Sequence, residues 1–182
     1  MRAFVLPLLL LGSAACDRSP APPVAVVSAD PAFPALTGRV VDRADLLTAQ
    51  QEARLDRKSA ALEREIGPQF VVVTVPSLGG RDIAEYGVDL GRRWGIGHKG
   101  KNDGLLLIVA PSERLVRVEV GYGLERRVTD PFAGKVIREQ ALPRFKDGRF
   151  PEGIEAASDA LIARLRSKAS DAEIAREDGV VT

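Results

Sequence analysis

The sequence predicts an α/β fold, a three-layer α/β/α sandwich in which a small mixed β-sheet is flanked by helices. Helical and strand patterns alternate along the chain in the order α-β-α-β-β-α-α. The strand–helix–strand unit between Phe70 and Ala110 should form a right-handed parallel crossover, and a hairpin then adds an antiparallel strand. One small sheet with helices on both faces accommodates all of these elements most economically.

The first predicted helix begins at Thr48, because Gln51 three residues later completes a capping box. Its apolar stripe carries Leu55, Leu62 and Ile66. The Gly67-Pro68 pair ends this helix. The run from Phe70 to Val75 is rich in β-branched residues, which predicts a buried strand.

A second helix is predicted over Arg81 to Trp94, where apolar side chains recur at helical spacing. These side chains are Ile83, Tyr86, Leu90 and Trp94. The hairpin follows, and a polar turn at Pro111 to Arg114 joins its strands. Its first strand is the unbroken apolar run Leu105 to Ala110, which indicates burial. Its second strand is the alternating segment Leu115 to Val120, which indicates a half-exposed strand.

Two helices are predicted after the hairpin. Asp130-Pro131 supplies an N-cap and a proline at the first helical position. The apolar residues of this helix are Phe132, Val136 and Ile137. The last helix starts near Pro151 and should bury Ile154, Ala157, Leu161 and Leu165. Residues 36–167 therefore form one domain with its own core, and residues 168–182 are expected to be a polar, frayed tail.

Residues 1–16 resemble a bacterial lipoprotein signal. Arg2 forms a minimal basic region, and Ala3 to Leu11 is an apolar stretch shorter than the about 20 residues of a membrane span. Small residues at positions 12–15 precede Cys16, the only cysteine. The resemblance implies a signal peptide over residues 1–15, attachment of lipid such as palmitate to Cys16, and hence a lipid membrane as a partner.

The match to this signal is relaxed, because Ser13 stands where leucine or a related residue is usual. The alternative is an ordinary secretory signal with small residues at the cleavage site. In enterobacteria a residue such as Asp17, directly after the cysteine, resembles an inner-membrane retention signal. We therefore expect a lipid-anchored protein on the periplasmic face of a bacterial membrane, with the inner membrane favoured.

Residues 16–35 are rich in proline and alanine, which is typical of an extended tether between an anchor and a domain. The whole chain has a formal charge of +1, and loss of Arg2 with the signal peptide lowers it to 0 (+1 − 1). A balanced charge leaves no electrostatic footprint for nucleic acid. We therefore expect no nucleic-acid partner.

Two apparent nucleotide motifs lie in one glycine-rich loop. Gly95, Gly97 and Gly100 match a dinucleotide fingerprint, and Gly95 with Gly100-Lys101 nearly matches a phosphate-binding loop in which Asn102 takes the Ser/Thr position. Both motifs work when the loop leaves a strand and enters a helix, whose N-terminus holds the phosphate. Here the loop leaves a helix and enters a strand, so we expect no nucleotide.

Four oxygen-bearing side chains flank the predicted hairpin. Asn102 and Asp103 precede its first strand, and Glu125 and Asp130 follow its second strand. Antiparallel pairing makes the two loops neighbours. Carboxylates mixed with amide and backbone carbonyls on flexible loops are typical calcium ligands. The sequence therefore points to a calcium or magnesium site formed by these residues.

Three of these residues, Asn102, Asp103 and Asp130, also have a structural explanation. The segment 102–104 makes a good turn, and Asp130 is an obvious helix cap. Asp42 and Asp45 rank second as ligands. They precede the first helix, and the packing of that helix on its strand tends to place them at the opposite end of the sheet.

Nucleophilic catalysis has little support in the sequence. His98 is the only histidine, so any Ser-His-Asp triad must use it. It lies in an expected mobile loop, with no serine after it before Ser112, and Cys16 is expected to be blocked by lipid. One histidine and one cysteine exclude a zinc site of the His and Cys type. No residue is therefore assigned a catalytic role.

Several segments between Leu36 and Leu165 carry, in order, the resemblance to one family. They are Gly38 to Asp42, Leu46-Leu47, Val71 to Val75, Trp94 to Gly97, Asn102 to Leu107, Val118 to Glu125, Thr129-Asp130, Pro143 to Phe145 and Gly153-Ile154. Together they resemble the TPM domain, which is named after thylakoid-lumen and photosystem-repair proteins and a receptor-accessory protein.

The resemblance implies an α/β/α sandwich anchored on the non-cytoplasmic side of a membrane. Calcium or magnesium binding in acidic loops, and weak acid phosphatase activity, are attributed to some members. By motif position, the ion ligands would again be Asn102, Asp103, Glu125 and Asp130. Many bacterial relatives have a transmembrane helix or a glycine-rich tail after the domain. The sequence shows neither, so we expect a lipidated Cys16 to replace the helix as anchor.

Two functions remain as alternatives. The first is a membrane-tethered accessory module that binds an envelope or membrane protein partner, with a divalent ion ordering its loops. The second is a weak metal-dependent acid phosphatase, in which the ion would polarise a phosphoryl oxygen and activate water. The sequence favours the binding module, because neither a base nor an open coordination position can be identified in it.

Overall fold

The computed structural model describes residues 33–180. The predicted signal peptide, the predicted lipidation site Cys16, Asp17 and most of the predicted tether lie outside the described residues, as do residues 181 and 182.

A four-stranded mixed sheet forms the middle layer. Its strands are β1 (Val40–Asp42), β2 (Gln69–Thr74), β3 (Gly104–Ala110) and β4 (Leu115–Val120), and they lie side by side in that order. β1, β2 and β3 run parallel, and β4 runs antiparallel to β3. The predicted parallel pairing of the strand–helix–strand unit and the predicted hairpin are therefore confirmed. β1 is absent from the sequence prediction, because a strand of 3 residues is too short to show a period.

Helices cover both faces of the sheet. They are α1 (Ala49–Ile66), α2 (Ile83–Trp94), α3 (Asp130–Val136), α4 (Leu142–Lys146), α5 (Phe150–Arg166) and α6 (Asp171–Glu177). A 3₁₀ turn spans Tyr122–Leu124, and a π-helical turn, Ile137–Ala141, joins α3 to α4. The capping box that Thr48 forms with Gln51 is present at the start of α1, as the sequence predicts.

The two faces of the sheet bury two separate apolar clusters. On one face, Tyr86 and Leu90 of α2 pack on alternate strand residues. The strand residues of this cluster are Val41, Val71, Val73, Leu106, Ile108 and Ala110. On the other face, α1, α3 and α5 pack on the intervening residues of β2, β3 and β4. The period of two along each strand thus fills both clusters, and the predicted three-layer α/β/α architecture is confirmed.

The helices α1 and α5 lie parallel on one face, and a row of ion pairs joins them. Arg54 pairs with Glu155 at 2.8 Å, and Lys58 pairs with Asp159 at 2.5 Å. Glu65 near the end of α1 pairs with Arg166 near the end of α5. Because each pair has the same sequence separation of 101 residues, the two helices keep one register along their length. Pairs as exposed as these contribute at most about 1 kcal/mol each.

The start of α3 differs from the sequence prediction by one residue. Thr129, rather than Asp130, is the N-cap, and its side chain accepts a hydrogen bond from the backbone N–H of Phe132. Asp130 and Pro131 follow inside the first turn. The prediction was wrong because both Thr129 and Asp130 are good capping residues, and only the extended backbone at Thr129 decides between them.

The expected frayed tail is corrected by the structure. Residues 171–177 form α6, which Ser170 and Glu173 cap reciprocally and which buries Ile174 completely (0% exposed). Just beyond the helix, Asp178 accepts hydrogen bonds from the Arg164 guanidinium at 2.9 Å and from the Thr129 hydroxyl at 2.6 Å. The polar composition of this segment conceals the helix, because its attachment depends on one buried isoleucine and on polar contacts with Arg127, Thr129 and Arg164.

The end of the predicted tether also packs on the domain. The ring of Phe33 lies 4.9 Å from that of Tyr86, and the Arg81 guanidinium lies 4.5 Å from the centre of the Phe33 ring. The indole N–H of Trp94 donates to the carbonyl oxygen of Pro34 at 3.0 Å. Residues 33 and 34 are therefore part of the folded unit, because an aromatic ring in the tether finds an apolar site on α2.

Candidate functional site

The hairpin brings together the two loops in which the sequence places the candidate ligands. Val120 of β4 lies opposite Leu105 of β3. Beyond this pair, the N–H of Gly121 donates to the Gly104 carbonyl oxygen at 2.8 Å, and the N–H of Gly123 donates to the Asn102 carbonyl oxygen at 3.0 Å. The predicted proximity of the loops before β3 and after β4 is therefore confirmed.

Glycine is required in these loops by close backbone packing. A Cβ atom on Gly121 would overlap the carbonyl oxygen of Asn102, and one on Gly123 would overlap the carbonyl oxygen of Lys101. Gly97 adds a left-handed backbone with φ of 99°, and its own Cβ would approach the Gly104 nitrogen to 2.7 Å. These glycines let two loops stack directly on each other, which a side chain would prevent.

An open cleft of about 490 Å³ lies between α2 and the end of β4. Its walls contain backbone of Gly91, Gly95, Gly97, Gly104 and Gly121 together with Val88, Ile96, Leu106 and Val120. Its polar border consists of Arg92, His98, Lys99, Asn102, Glu119, Tyr122 and Glu125. We call this the α2–β4 cleft. A cleft of this volume is within the range of ligand sites in proteins.

The carboxylate of Asp103 is hydrogen-bonded to His98, and Asp103 does not line the cleft. Its carboxylate accepts a hydrogen bond from the His98 backbone N–H at 2.7 Å, and His98 Nδ1 lies 3.0 Å from the same oxygen. Asp103 is 7% exposed. Burial by itself raises the pKa of this carboxyl, but the hydrogen bonds from the His98 backbone and ring, together with attraction to the imidazole, outweigh it and hold the pKa below 3.8.

The same pair orients the imidazole of His98. An ionised carboxylate accepts hydrogen bonds only, so Nδ1 carries the proton and Nε2 is the nitrogen left for a ligand. His98 lines the α2–β4 cleft. Side-chain and backbone hydrogen bonds hold the loop in which the sequence analysis places His98. The expected mobility of this loop stays a prediction. No sequence motif marks the His98–Asp103 pair, because a separation of five residues in a loop has no regular geometry.

A second set of hydrogen bonds holds the glycine loop from the opposite side. The N–H of Gly97 donates to Gln69 Oε1 at 2.8 Å, and Gln69 Nε2 donates to Glu63 Oε1 at 3.0 Å. The Arg39 guanidinium donates to Glu63 Oε2 at 2.7 Å. The hydrogen bond from Gln69 and those from Arg39 lower the pKa of Glu63 below its ordinary value. Glu63, Gln69 and Arg39 also line a smaller cavity of about 450 Å³ on this side of the loop.

The four predicted ligands are distributed over different environments. Asn102 and Glu125 are exposed and both line the α2–β4 cleft. Asp103 lies beneath the loop on His98, and the exposed Asp130 stands in the first turn of α3. Neither Asp103 nor Asp130 lines the cleft. The structure therefore brings two of the four side chains to one open surface.

The second-ranked residues lie elsewhere, as the sequence analysis expects. Asp42 ends β1 opposite Thr74, which in turn lies opposite Val109 near the end of β3. These residues lie towards the carboxyl ends of the parallel strands, whereas Gly104 lies at the opposite end, where β3 begins. The Asp42 carboxylate accepts hydrogen bonds from the Thr74 hydroxyl and from the backbone N–H of Leu47. Asp42 is thus a structural residue that closes the turn before α1.

The fit of a hard cation to this arrangement is limited. Within residues 33–180 no group of three or more histidine, cysteine, aspartate or glutamate side chains surrounds a common point. Calcium takes about six to eight oxygen ligands, whereas only Asn102 and Glu125 of the four predicted ligands line the α2–β4 cleft. The backbone carbonyl oxygen of Asn102 already accepts a hydrogen bond from the N–H of Gly123. A cation here would keep much of its water.

The charges of the α2–β4 cleft are mixed. Glu119 is paired within β4 to Arg117, whose Nε lies 2.7 Å from its carboxylate. The remaining charged residues of the border are Arg92, Lys99 and Glu125, and Tyr122, which also lines the cleft, is 77% exposed. A glycine-walled cleft with both charges and an exposed aromatic ring is suited to holding a polar chain.

Among the helices that the structure describes, none combines the length and apolarity of a membrane-spanning segment.

These features define an α/β domain with a mixed sheet and a loop-walled cleft at the end of its hairpin. The TPM domain family model matches residues 40–164 of this chain, which is more than half of its length. The chain belongs to the TPM domain family. A comparison with curated proteins gave no match.

Solved structures share the fold. The N-terminal domain of a protein from P. gingivalis, solved by NMR, is 34% identical with a TM-score of 0.67, over 71% of this chain and 82% of that one. The N-terminal domain of the cg2496 protein from Corynebacterium glutamicum is 15% identical, with a TM-score of 0.57 over 81% of this chain and 91% of that one. The BA42 protein from Bizionia argentinensis is 22% identical, with a TM-score of 0.52 over 65% of this chain and 83% of that one. The last two similarities concern the fold alone.

Proposed function

We propose that this TPM domain is a membrane-tethered periplasmic binding module, and that it holds an envelope or membrane protein partner at the α2–β4 cleft. The observation that carries the proposal is the cleft itself, which is open, walled by glycine backbone and bordered by Arg92, Lys99, Glu125 and an exposed Tyr122. Tyrosine and arginine are enriched in protein interfaces. A ring as exposed as that of Tyr122 is available for such a contact.

The proposed anchor is a lipid on Cys16. Residues 17–32 separate it from Phe33, which packs on α2. A fully extended chain of that length reaches at most roughly 50–60 Å. The domain would therefore stay close to the membrane surface, where an envelope complex would present its partner.

A divalent cation, calcium or magnesium, is the second part of the proposal. Ion binding by all four predicted residues would require Asp103 to release His98, which costs two hydrogen bonds. We therefore assign the ion to Asn102 and Glu125, with water completing its shell. Its role would be to order the loops that border the α2–β4 cleft.

Crosslinking in cells tests the binding function. A photoreactive amino acid at position 122 should capture a defined envelope protein. The same amino acid at position 65, an exposed site on α1, should not capture it. Cys16→Ser should release the protein from the membrane fraction and abolish palmitate incorporation. No product at position 122, or the same products from both positions, would refute the binding site.

The alternative is a weak metal-dependent acid phosphatase. One observation speaks for it, since His98, oriented by Asp103, lines the α2–β4 cleft and could act as a base. Hydrolysis of p-nitrophenyl phosphate with calcium or magnesium, lost in both His98→Ala and Glu125→Gln, would favour the enzyme. Hydrolysis that survives both substitutions would be assigned to a contaminant.

A further inference from the structure

β4 is an edge strand, and no further strand pairs with it among residues 33–180. It is 6 residues long, contains no proline, and carries its two charges, Arg117 and Glu119, as a pair. Edge strands of natural proteins are commonly blunted by charges, bulges or proline, because their free backbone groups recruit other chains. β4 has little of this protection.

The strand register shows which backbone groups are free. Gly121 and Gly104 form a hydrogen-bonded pair at the end of the ladder. Since such pairs alternate along antiparallel strands, Val116, Val118 and Val120 direct their N–H and C=O groups away from β3. In the part of the chain that the structure describes, these outward groups have no hydrogen-bond partner.

The free edge runs directly into the α2–β4 cleft. Val120 and Glu119 border the cleft together with Arg92 and Lys99. Because Arg117 neutralises Glu119, this end of the strand is dominated by two cations against Glu125. The other end of β4 carries Leu115, which is 41% exposed. The edge therefore has a basic end and an apolar end.

We propose that the partner docks by strand addition: an extended segment of another polypeptide, about six residues long, pairs with the outer edge of β4. An acidic side chain of that segment enters the α2–β4 cleft near Arg92 and Lys99, and an apolar side chain covers Leu115. The outward backbone groups provide the main-chain bonds, and the charge at one end sets the register. This inference rests on the proposed binding function and names the chemistry of its partner.

Two synthetic peptides test the inference with the purified protein. Each peptide has six residues and capped termini, with leucine at one end and alternating threonine and valine in the middle. The residue at the other end is aspartate in one peptide and lysine in the other. With the aspartate peptide, the amides of Val116, Val118 and Val120 should gain about tenfold protection from hydrogen exchange. The amides of Arg117 and Glu119, which already bond to β3, should not change.

Charge reversal at the cleft supplies the matched control. Lys99→Glu should weaken binding of the aspartate peptide about threefold and strengthen binding of the lysine peptide by a similar factor. Arg57→Glu, an equal charge change on the exposed side of α1, should do neither. Val116→Pro, which removes one outward donor without touching the bonds to β3, should abolish binding. If that variant fails to fold, the charge reversal at Lys99 still tests whether an acidic side chain of the peptide binds at the α2–β4 cleft.

Three outcomes would overturn the inference. Chemical shift changes confined to the α2–β4 cleft, without alternate protection along β4, would exclude strand addition. Protection of the β4 edge that grows with protein concentration in the absence of peptide would assign the edge to a second copy of this chain. Equal binding of both peptides would exclude the acidic side chain. If one of these outcomes is found and position 122 still captures an envelope protein, the proposed binding function stands. If position 122 captures no envelope protein either, the proposed binding function is refuted as well.

Discussion

Asp103 accepts hydrogen bonds from both the backbone N–H and the ring of His98, at 2.7 and 3.0 Å, beneath the loop that borders the α2–β4 cleft. The pair closes the segment between α2 and β3 on itself. On the opposite side, Gln69 holds the same segment through Gly97 at 2.8 Å. Hydrogen bonds thereby hold a loop rich in glycine from both sides, and the carboxylate of Asp103, a predicted metal ligand, accepts two of them.

Stability should depend on pH through Asp103. The pKa of this carboxyl is lower in the folded protein than its ordinary value of 3.8. Its contribution is therefore complete above the unfolded pKa and is lost as the pH falls through the folded pKa. We expect wild type to be more stable than Asp103→Asn at pH 5, and the two free energies of unfolding to converge as the pH falls through the folded pKa of Asp103.

Urea unfolding at a series of pH values measures this difference. The exposed Asp130→Asn is the control and should change the free energy of unfolding by less than about 0.5 kcal/mol. A constant gap between wild type and Asp103→Asn down to low pH would show that the charge of Asp103 is not what His98 recognises.

Calcium or magnesium should act at the border of the α2–β4 cleft. In a titration followed by NMR, we expect the amide signals near Asn102 and Glu125 to shift saturably. Glu125→Gln should lower the affinity for the ion about tenfold or more, since a carboxylate is the main attraction for a hard cation. Asp130→Asn, which lies outside the cleft, should leave the titration unchanged.

The opposite pattern would be informative as well. If Asp130→Asn abolishes the shifts and Glu125→Gln does not, the ion binds at the start of α3. An absence of shifts at millimolar ion would remove the cation from the function altogether.

The C-terminal helix α6 should contribute measurably to stability. Ile174→Ala is expected to cost about 2–4 kcal/mol, because the side chain is fully buried (0% exposed). Urea unfolding measures the change. Arg176→Ala, at an exposed position on the same helix, is the matched control and should stay within about 0.5 kcal/mol. A small effect of both would mean that α6 detaches in solution.

A methyl group should not be tolerated where the two loops stack. Gly121→Ala places a Cβ against the carbonyl oxygen of Asn102, and we expect destabilisation of about 1–3 kcal/mol or more. Gly38→Ala meets nothing closer than 3.9 Å and should be close to neutral. Thermal unfolding compares the two. Equal melting temperatures would show that the loops separate without cost.

The elements predicted correctly are those with a local physical cause. The capping box at Thr48 satisfies helix donors within one turn, and the apolar run of β3 can be buried only between two layers. Elements that depend on distant partners were missed. β1 exists because it pairs with β2, and α6 is held by Ile174 and by the pair of Asp178 with Arg164.

The sequence by itself determined the order of the elements from α1 to β4, the mixed sheet and the meeting of the two hairpin loops, since periodicity and strand register follow from short segments. Only the tertiary structure decided how the four candidate oxygen side chains are used: Asp103 on His98, Asp130 in the first turn of α3, and Asn102 with Glu125 on the cleft. The reason is the range of the interaction. A hydrogen bond forms at about 3 Å, and which groups come that close is settled by the packing of loops whose sequence carries no period.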